Sequence, residues 1–151
     1  MKPKLKITGQ KELLKKLAAF GEEAERTISS VTQSVAGNIA LKASQNAPIE
    51  APGLDSNELA KSINVEPRES GKMFYQVAVN ALPMGAYMEF GTGAFVDVKP
   101  GWESTAWAFY KNGKGTLHPK PFLYPAWRDG KDEYKESLNA LLKNLTNKFN
   151  R

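Results

Sequence analysis

The sequence predicts an α+β domain, an antiparallel β-sheet packed by a long N-terminal helix and a C-terminal amphipathic helix. Three observations predict it. Ala24, Ile28, Val31, Val35 and Ile39 recur at steps of three and four, one apolar stripe of a helix. Ile63 and Val65, then Tyr75, Val77 and Val79, alternate with other residues on either side of Ser70-Gly71, the pattern of a β-hairpin. Tyr134, Leu138, Leu141, Leu145 and Phe149 form a second helical stripe. The layout expected within a single domain over 1–151 is an N-terminal helical region at 1–47, a sheet-and-loop region at 62–124 and a C-terminal helix at 128–150.

Taken in order, Leu5-Lys6-Ile7 alternates before Thr8-Gly9 and predicts a short strand. Leu13, Leu17 and Phe20 share one helical face. Gly21 interrupts that stretch, and Gly37 costs about 1 kcal/mol inside the next. Residues 11–45 are therefore either two helices or one long bent helix, stopped by Pro48. Pro48, Pro52 and Gly53 mark a loop, and Ser56 is a candidate cap for a helical turn over 56–61. Pro83 and Gly85 end the hairpin. Residues 93–121 are the least regular. Trp107 and Phe109 alternate with Ala106, Ala108 and Tyr110 ahead of Asn112-Gly113, a two-residue hairpin turn. Eight of the fifteen aromatic residues lie between Phe95 and Trp127, more than a linker needs. In the C-terminal helix, Asp129, Asp132 and Glu133 at the start and Lys143, Lys148 and Arg151 near the end suit the helix dipole.

A chain of 151 residues suits one domain, burying roughly 70% of its unfolded surface. The absence of cysteine excludes disulfides, thiolate zinc sites and a cysteine nucleophile, and fits a reducing compartment. The basic N-terminus leads into no apolar segment, so no signal peptide is expected. No apolar run approaches the roughly 18 residues of a membrane span, so no membrane partner is expected. The net charge of +5 is uneven. Residues 1–48 carry eight basic against four acidic side chains, residues 49–98 three against seven, and residues 99–151 ten against five. Such a distribution is either a set of solvated faces or complementary surfaces that meet between subunits. No basic run is dense enough to demand DNA binding.

Two motifs about thirty residues apart carry the functional reading: Tyr87-Met88-Glu89-Phe90-Gly91-Thr92-Gly93 and His118-Pro119-Lys120-Pro121-Phe122-Leu123-Tyr124-Pro125-Ala126. Both combine aromatic bulk with glycine and proline, which fix loop geometry. Glu89, between Met88 and Phe90, is expected to be partly buried. It could serve as an acid or base, but a structural carboxylate binding backbone N–H groups or a neighbouring cation is the better fit. His118, the only histidine, lacks the partners of a hydrolytic triad or a metal site. Gly91-Thr92-Gly93 is too short for a phosphate loop and predicts a tight turn. Phe122 and Leu123, between Pro121 and Pro125, are expected to anchor the C-terminal helix in the core. Trp102 and Trp107, with Phe95, Phe109 and Tyr110, are expected to form contacts with neighbouring subunits. No catalytic residue, cofactor or metal is expected.

In their order, with a helix before and a helix after, these motifs resemble the neck, or tail-completion, proteins of long-tailed bacteriophages. Ala47-Pro48 followed by Leu59-Ala60-Lys61-Ser62-Ile63 resembles the segment after that family's first long helix, whereas Glu50-Ala51-Pro52-Gly53-Leu54-Asp55 replaces its usual tight Thr-Gly turn. The resemblance implies a structural virion protein without enzymatic activity. It implies a sixfold homo-oligomeric ring between the head-closure or connector protein and the tail terminator or tail tube, with double-stranded DNA passing through the lumen. Tyr87, Glu89, Phe90, Gly91, Thr92, Trp102, Trp107, Pro121, Phe122, Leu123, Pro125 and Ala126 would be its structural and interface residues. Assembly in the host cytoplasm and residence in the virion follow from the same resemblance. A tail-terminator or minor tail protein, a nucleic-acid-binding module using the basic, aromatic segment 95–127, and a small hydrolase using Glu89 and His118 are the alternatives.

Overall fold

The computed structural model of the protein describes residues 10–67, 75–81, 83–108, 110 and 113–149. The first element, α1 (Gln10–Asn46), is one continuous helix of 37 residues, about 55 Å long. Gly21 and Gly37 do not break it. At neither would an added Cβ meet another atom within 4 Å, so each costs propensity alone. Pro48 follows two residues after its end. A short helix α2 (Glu58–Lys61) leads into β1 (Ile63–Pro67), and β2 (Tyr75–Val79) pairs with it antiparallel, Val65 opposite Val77. Next come α3 (Met84–Phe90), a 3₁₀ turn at Gly93–Phe95 and α4 (Glu103–Trp107). The chain ends in α5 (Leu123–Phe149). The architecture is α+β, with α1 lying on both strands and α5 returning along α1.

The face of α1 that meets the sheet is built from small residues. Ala40 and Ala43 follow the stripe begun by Val35, Ala47 continues it just past the helix end, and each is at most 9% exposed. They join Leu59, Ile63, Met88, Phe122 and Ala126 in one core. Alanine costs no side-chain entropy and lets helix and sheet approach closely.

The two long helices run antiparallel, because residues early in α1 meet residues late in α5. Phe20 meets Phe149 edge-on with ring centroids 5.2 Å apart, and the Thr32 and Tyr134 hydroxyls are 3.1 Å apart. Asn38 Nδ2 donates to Glu133 Oε1 at 2.7 Å. Lys148 Nζ donates to Glu23 at 2.5 Å and holds that carboxyl below the ordinary carboxylate range. Because the folded-state value is depressed, this contact supports the fold above the carboxylate range and is lost as pH falls through it. Both side chains are solvated, so it is a trim on the helix pair rather than its cause.

Several expectations need correction. Leu17, placed on a packed face with Leu13 and Phe20, is 57% exposed, because α1 continues outward past Phe149. Ser56 does not cap α2. Asn57 occupies the cap position in the left-handed region without a side-chain bond, and Glu58 reaches back to the Asp55 N–H instead. Trp107 lies in a helix rather than a strand, with Ala106 fully buried beside it. The C-terminal helix starts at Leu123, five residues before the expected boundary, so Asp129, Asp132 and Glu133 fall beyond its first turn. The strand expected at Leu5–Ile7 and the turn residue Asn112 lie outside the described residues.

Close approach of α1 and α5 depends on Gly130. A Cβ there would lie 2.2 Å from Ile39 Cγ1 and 2.5 Å from Cδ1. Gly-to-Ala in an unobstructed helix interior stabilises by about 1 kcal/mol. Here Gly130→Ala should reverse that sign and destabilise by about 1–3 kcal/mol in urea unfolding. Ile39→Ala in the same background should relieve part of the strain introduced by Gly130→Ala, measured against Ile39→Ala alone. A stabilising Gly130→Ala would contradict the packing.

Candidate functional site

The two sequence motifs fold into one site. It is built on the helix-to-turn junction at the end of α3. Met88, Glu89 and Phe90 are all buried, with Glu89 only 2% exposed. Gly91 then turns the chain with φ 77°, and a Cβ there would meet the Phe95 carbonyl at 2.7 Å and Pro119 Cδ at 2.9 Å. Only glycine satisfies both that backbone and that space. The turn lets the segment before α5 lie against α3. Lys120 N–H donates to the Met88 carbonyl at 2.6 Å. Thr92 is bonded twice to Leu117, its N–H to the Leu117 carbonyl at 2.9 Å and its Oγ1 to the Leu117 N–H at 3.0 Å.

At the centre is the Glu89 carboxylate. Oε2 accepts from the N–H groups of Phe122 at 2.9 Å and Leu123 at 2.8 Å, and Oε1 from Tyr124 at 2.9 Å. An α-helix leaves its first four N–H groups without intrahelical partners. For α5, beginning at Leu123, these belong to Phe122, Leu123, Tyr124 and residue 125. The first three bind Glu89, and the fourth position is Pro125, which has no N–H. The accounting is complete. In return the buried charge is met by three charge-assisted bonds and the positive end of the α5 dipole. Among the described residues no buried side-chain polar atom lacks a partner.

Such an arrangement is a clamp. Among the described residues, the Glu89 bonds run to backbone donors and none joins either carboxylate oxygen to a second acid or base. His118 is exposed and packs its ring 3.9 Å from that of Phe95. Among the described residues no cluster of His, Asp and Glu could hold a metal ion.

The remaining candidate residues fall into two groups. Phe122 and Ala126 are each 1% exposed and belong to the core, while Tyr87, Thr92, Pro121, Leu123 and Pro125 are half-buried around the clamp. Trp102 is also held within the chain. Its ring lies 5.8 Å from Phe90, 5.4 Å from Tyr124 and 5.8 Å from Trp127, with Lys131 over Trp127 and Lys99 over Tyr124. Trp107, Tyr110 and Phe95 instead stand outside, 58%, 41% and 39% exposed. Sequence reading missed Trp127, Lys131 and the Thr92–Leu117 pairing. One signal for the clamp was available. Pro121-Phe122 offers no Ser, Thr, Asp or Asn to cap a helix whose first turn contains Pro125, so the cap had to come from elsewhere.

Glu89→Gln keeps the shape but turns an acceptor into a donor facing donors. It should cost about 3 kcal/mol in urea unfolding, comparable with the roughly 3–5 kcal/mol for Phe122→Ala. A Glu89→Gln loss below about 1 kcal/mol would show that solvent replaces the clamp.

Comparison with known proteins places the chain in a family. Residues 11–91, from α1 to the Gly91 turn, match the family model HK97-gp10_like, described as "Bacteriophage HK97-gp10, putative tail-component". No curated protein and no solved structure matches the chain. The match spans more than half of the sequence and ends on the motif that carries Glu89, and the chain therefore belongs to the HK97-gp10-like family of bacteriophage tail components.

Proposed function

We propose that this protein is a neck, or tail-completion, protein. It forms a ring, sixfold by the resemblance, that joins the head-closure or connector complex to the tail terminator and lets double-stranded DNA pass. The observation that carries the reading is membership in a family of tail components, whose work is binding other structural proteins of the virion. The geometry supports it. The clamp and the Trp102 cluster fix both ends of the segment between α3 and α5, while Trp107 and Tyr110, 5.6 Å apart in an edge-to-face pair, remain exposed on it. Aromatic side chains on a rigid base are what an interface core uses. In this reading the protein does no chemistry, residues 1–151 act as one domain, and assembly in the host cytoplasm precedes residence in the virion.

The family description names the tail and not the neck, which favours a second reading as a tail terminator or minor tail protein. Electron microscopy of particles carrying a labelled copy separates the two by position.

Trp107→Ala combined with Tyr110→Ala tests the role of the exposed pair. The double variant should unfold within about 1 kcal/mol of wild type, since surface changes usually cost little. In an infected cell it should leave heads and tails unjoined. Joined, infectious particles at wild-type yield would overturn the assignment of this pair to an interface.

A further inference from the structure

Among the described residues the sheet has two strands, so β2 is paired to β1 along one edge only. The Asn80 N–H donates to the Ser62 carbonyl at 3.0 Å, in continuation of the register that sets Ala78 opposite Asn64. Gln76 and Ala78 therefore direct their peptide groups toward β1. Those of Tyr75, Val77 and Val79 point outward, as antiparallel alternation requires. Two apolar grooves are lined in part by β2. One, of about 480 Å³, is lined by Val35, Ile39, Val77, Trp102 and Trp127. The other, of about 470 Å³, shares Val77 and Trp102 and continues to Val79 and Phe122.

We infer that residues 4–8 of a second copy, Lys4-Leu5-Lys6-Ile7-Thr8, add a strand to this edge. In an extended segment Leu5 and Ile7 project to one side about 6.8 Å apart. The first groove reaches Val77 and the second Val79, two residues on along β2, so the same step serves both. Lys4 and Lys6 then fall on the opposite face of the sheet, where Gln76 donates to Glu66 Oε2 at 3.2 Å. Charge agrees, since the receiving stretch 49–98 carries seven acidic against three basic side chains. The donor cannot be the segment's own chain. Val35, at the groove, is about 37 Å along α1 from Gln10. Only Thr8 and Gly9 separate Ile7 from Gln10, a reach of about 10 Å. Each copy thus gives a strand on one side and receives one on another, a head-to-tail contact that can close into a ring. The inference deepens the ring reading, and its test is separable from it.

The test uses the full chain carrying Leu5→Asp and Ile7→Asp, which disables its own arm and leaves the receiving edge intact. A dye-labelled peptide of residues 3–9 should bind it saturably by fluorescence anisotropy, and a peptide with the same two substitutions should not. Adding Val77→Pro should weaken binding at least tenfold. That residue's N–H points away from β1, so proline is tolerated there. If Val77→Pro unfolds, amide chemical shifts in the Leu5→Asp, Ile7→Asp chain give the same information. Peptide-induced changes should centre on Val77 and Val79. No binding at about 1 mM peptide, or shifts that avoid β2, would overturn the inference, even if the wild-type chain forms rings. Binding at β2, with a wild-type chain that associates without closing into rings, would uphold the inference while contradicting the ring; a wild-type chain that never associates would overturn the inference.

Discussion

The structure depends on one interaction, the Glu89 carboxylate at the N-terminus of α5. Helices of 27 residues do not dock themselves at a chosen angle. Their apolar stripe leaves rotation and sliding open, and their first N–H groups need partners. Glu89 settles both. Three bonds from one buried carboxylate fix where α5 begins, and Phe122, beside them, fills the core beneath it. The antiparallel course along α1, with Gly130 set against Ile39, follows from that starting point. A buried charge is unfavourable in isolation, and it is tolerated here because donors and helix dipole converge on it.

The same constraint explains the glycines and prolines around it. Gly91 lets the chain leave α3 without moving the carboxylate, and Pro125 occupies the one first-turn position that Glu89 does not serve. The segment between the motifs is thereby fixed at both ends. Trp102 is drawn into the body by Phe90, Tyr124 and Trp127, while Trp107 and Tyr110 stay outside. This separation of a fixed base from an exposed segment is what the structure contributes to the proposed role in the virion.

Much of this was legible in the sequence because it is periodic. The stripes of α1 and α5 and the alternation of β1 and β2 are local signals, and each produced the expected element. The structural reading of Glu89, as a carboxylate binding backbone N–H groups, was legible from its apolar neighbours. Its partners were not, because residues 33 to 35 positions away carry no local mark of the contact. The start of α5 was misplaced for the same reason. Asp129, Asp132 and Glu133 imitate a helix start, whereas the true acid of the first turn comes from α3. Trp107 was assigned to a strand by alternation over only a few residues, where aromatic and alanine side chains fit either period. The buried alanines of α1 escaped notice because alanine marks helix propensity and says little about burial.

The most direct test of the clamp is amide hydrogen exchange at Phe122, Leu123 and Tyr124 in the wild-type protein. First-turn amides of an α-helix lack intrahelical acceptors and ordinarily exchange early. If Glu89 holds them, their protection should approach that of the α1 amides at Ala40 and Ala43, whose side chains are buried in the core. Exchange at these three amides near the rate of an unstructured peptide, with α1 still protected, would contradict the account.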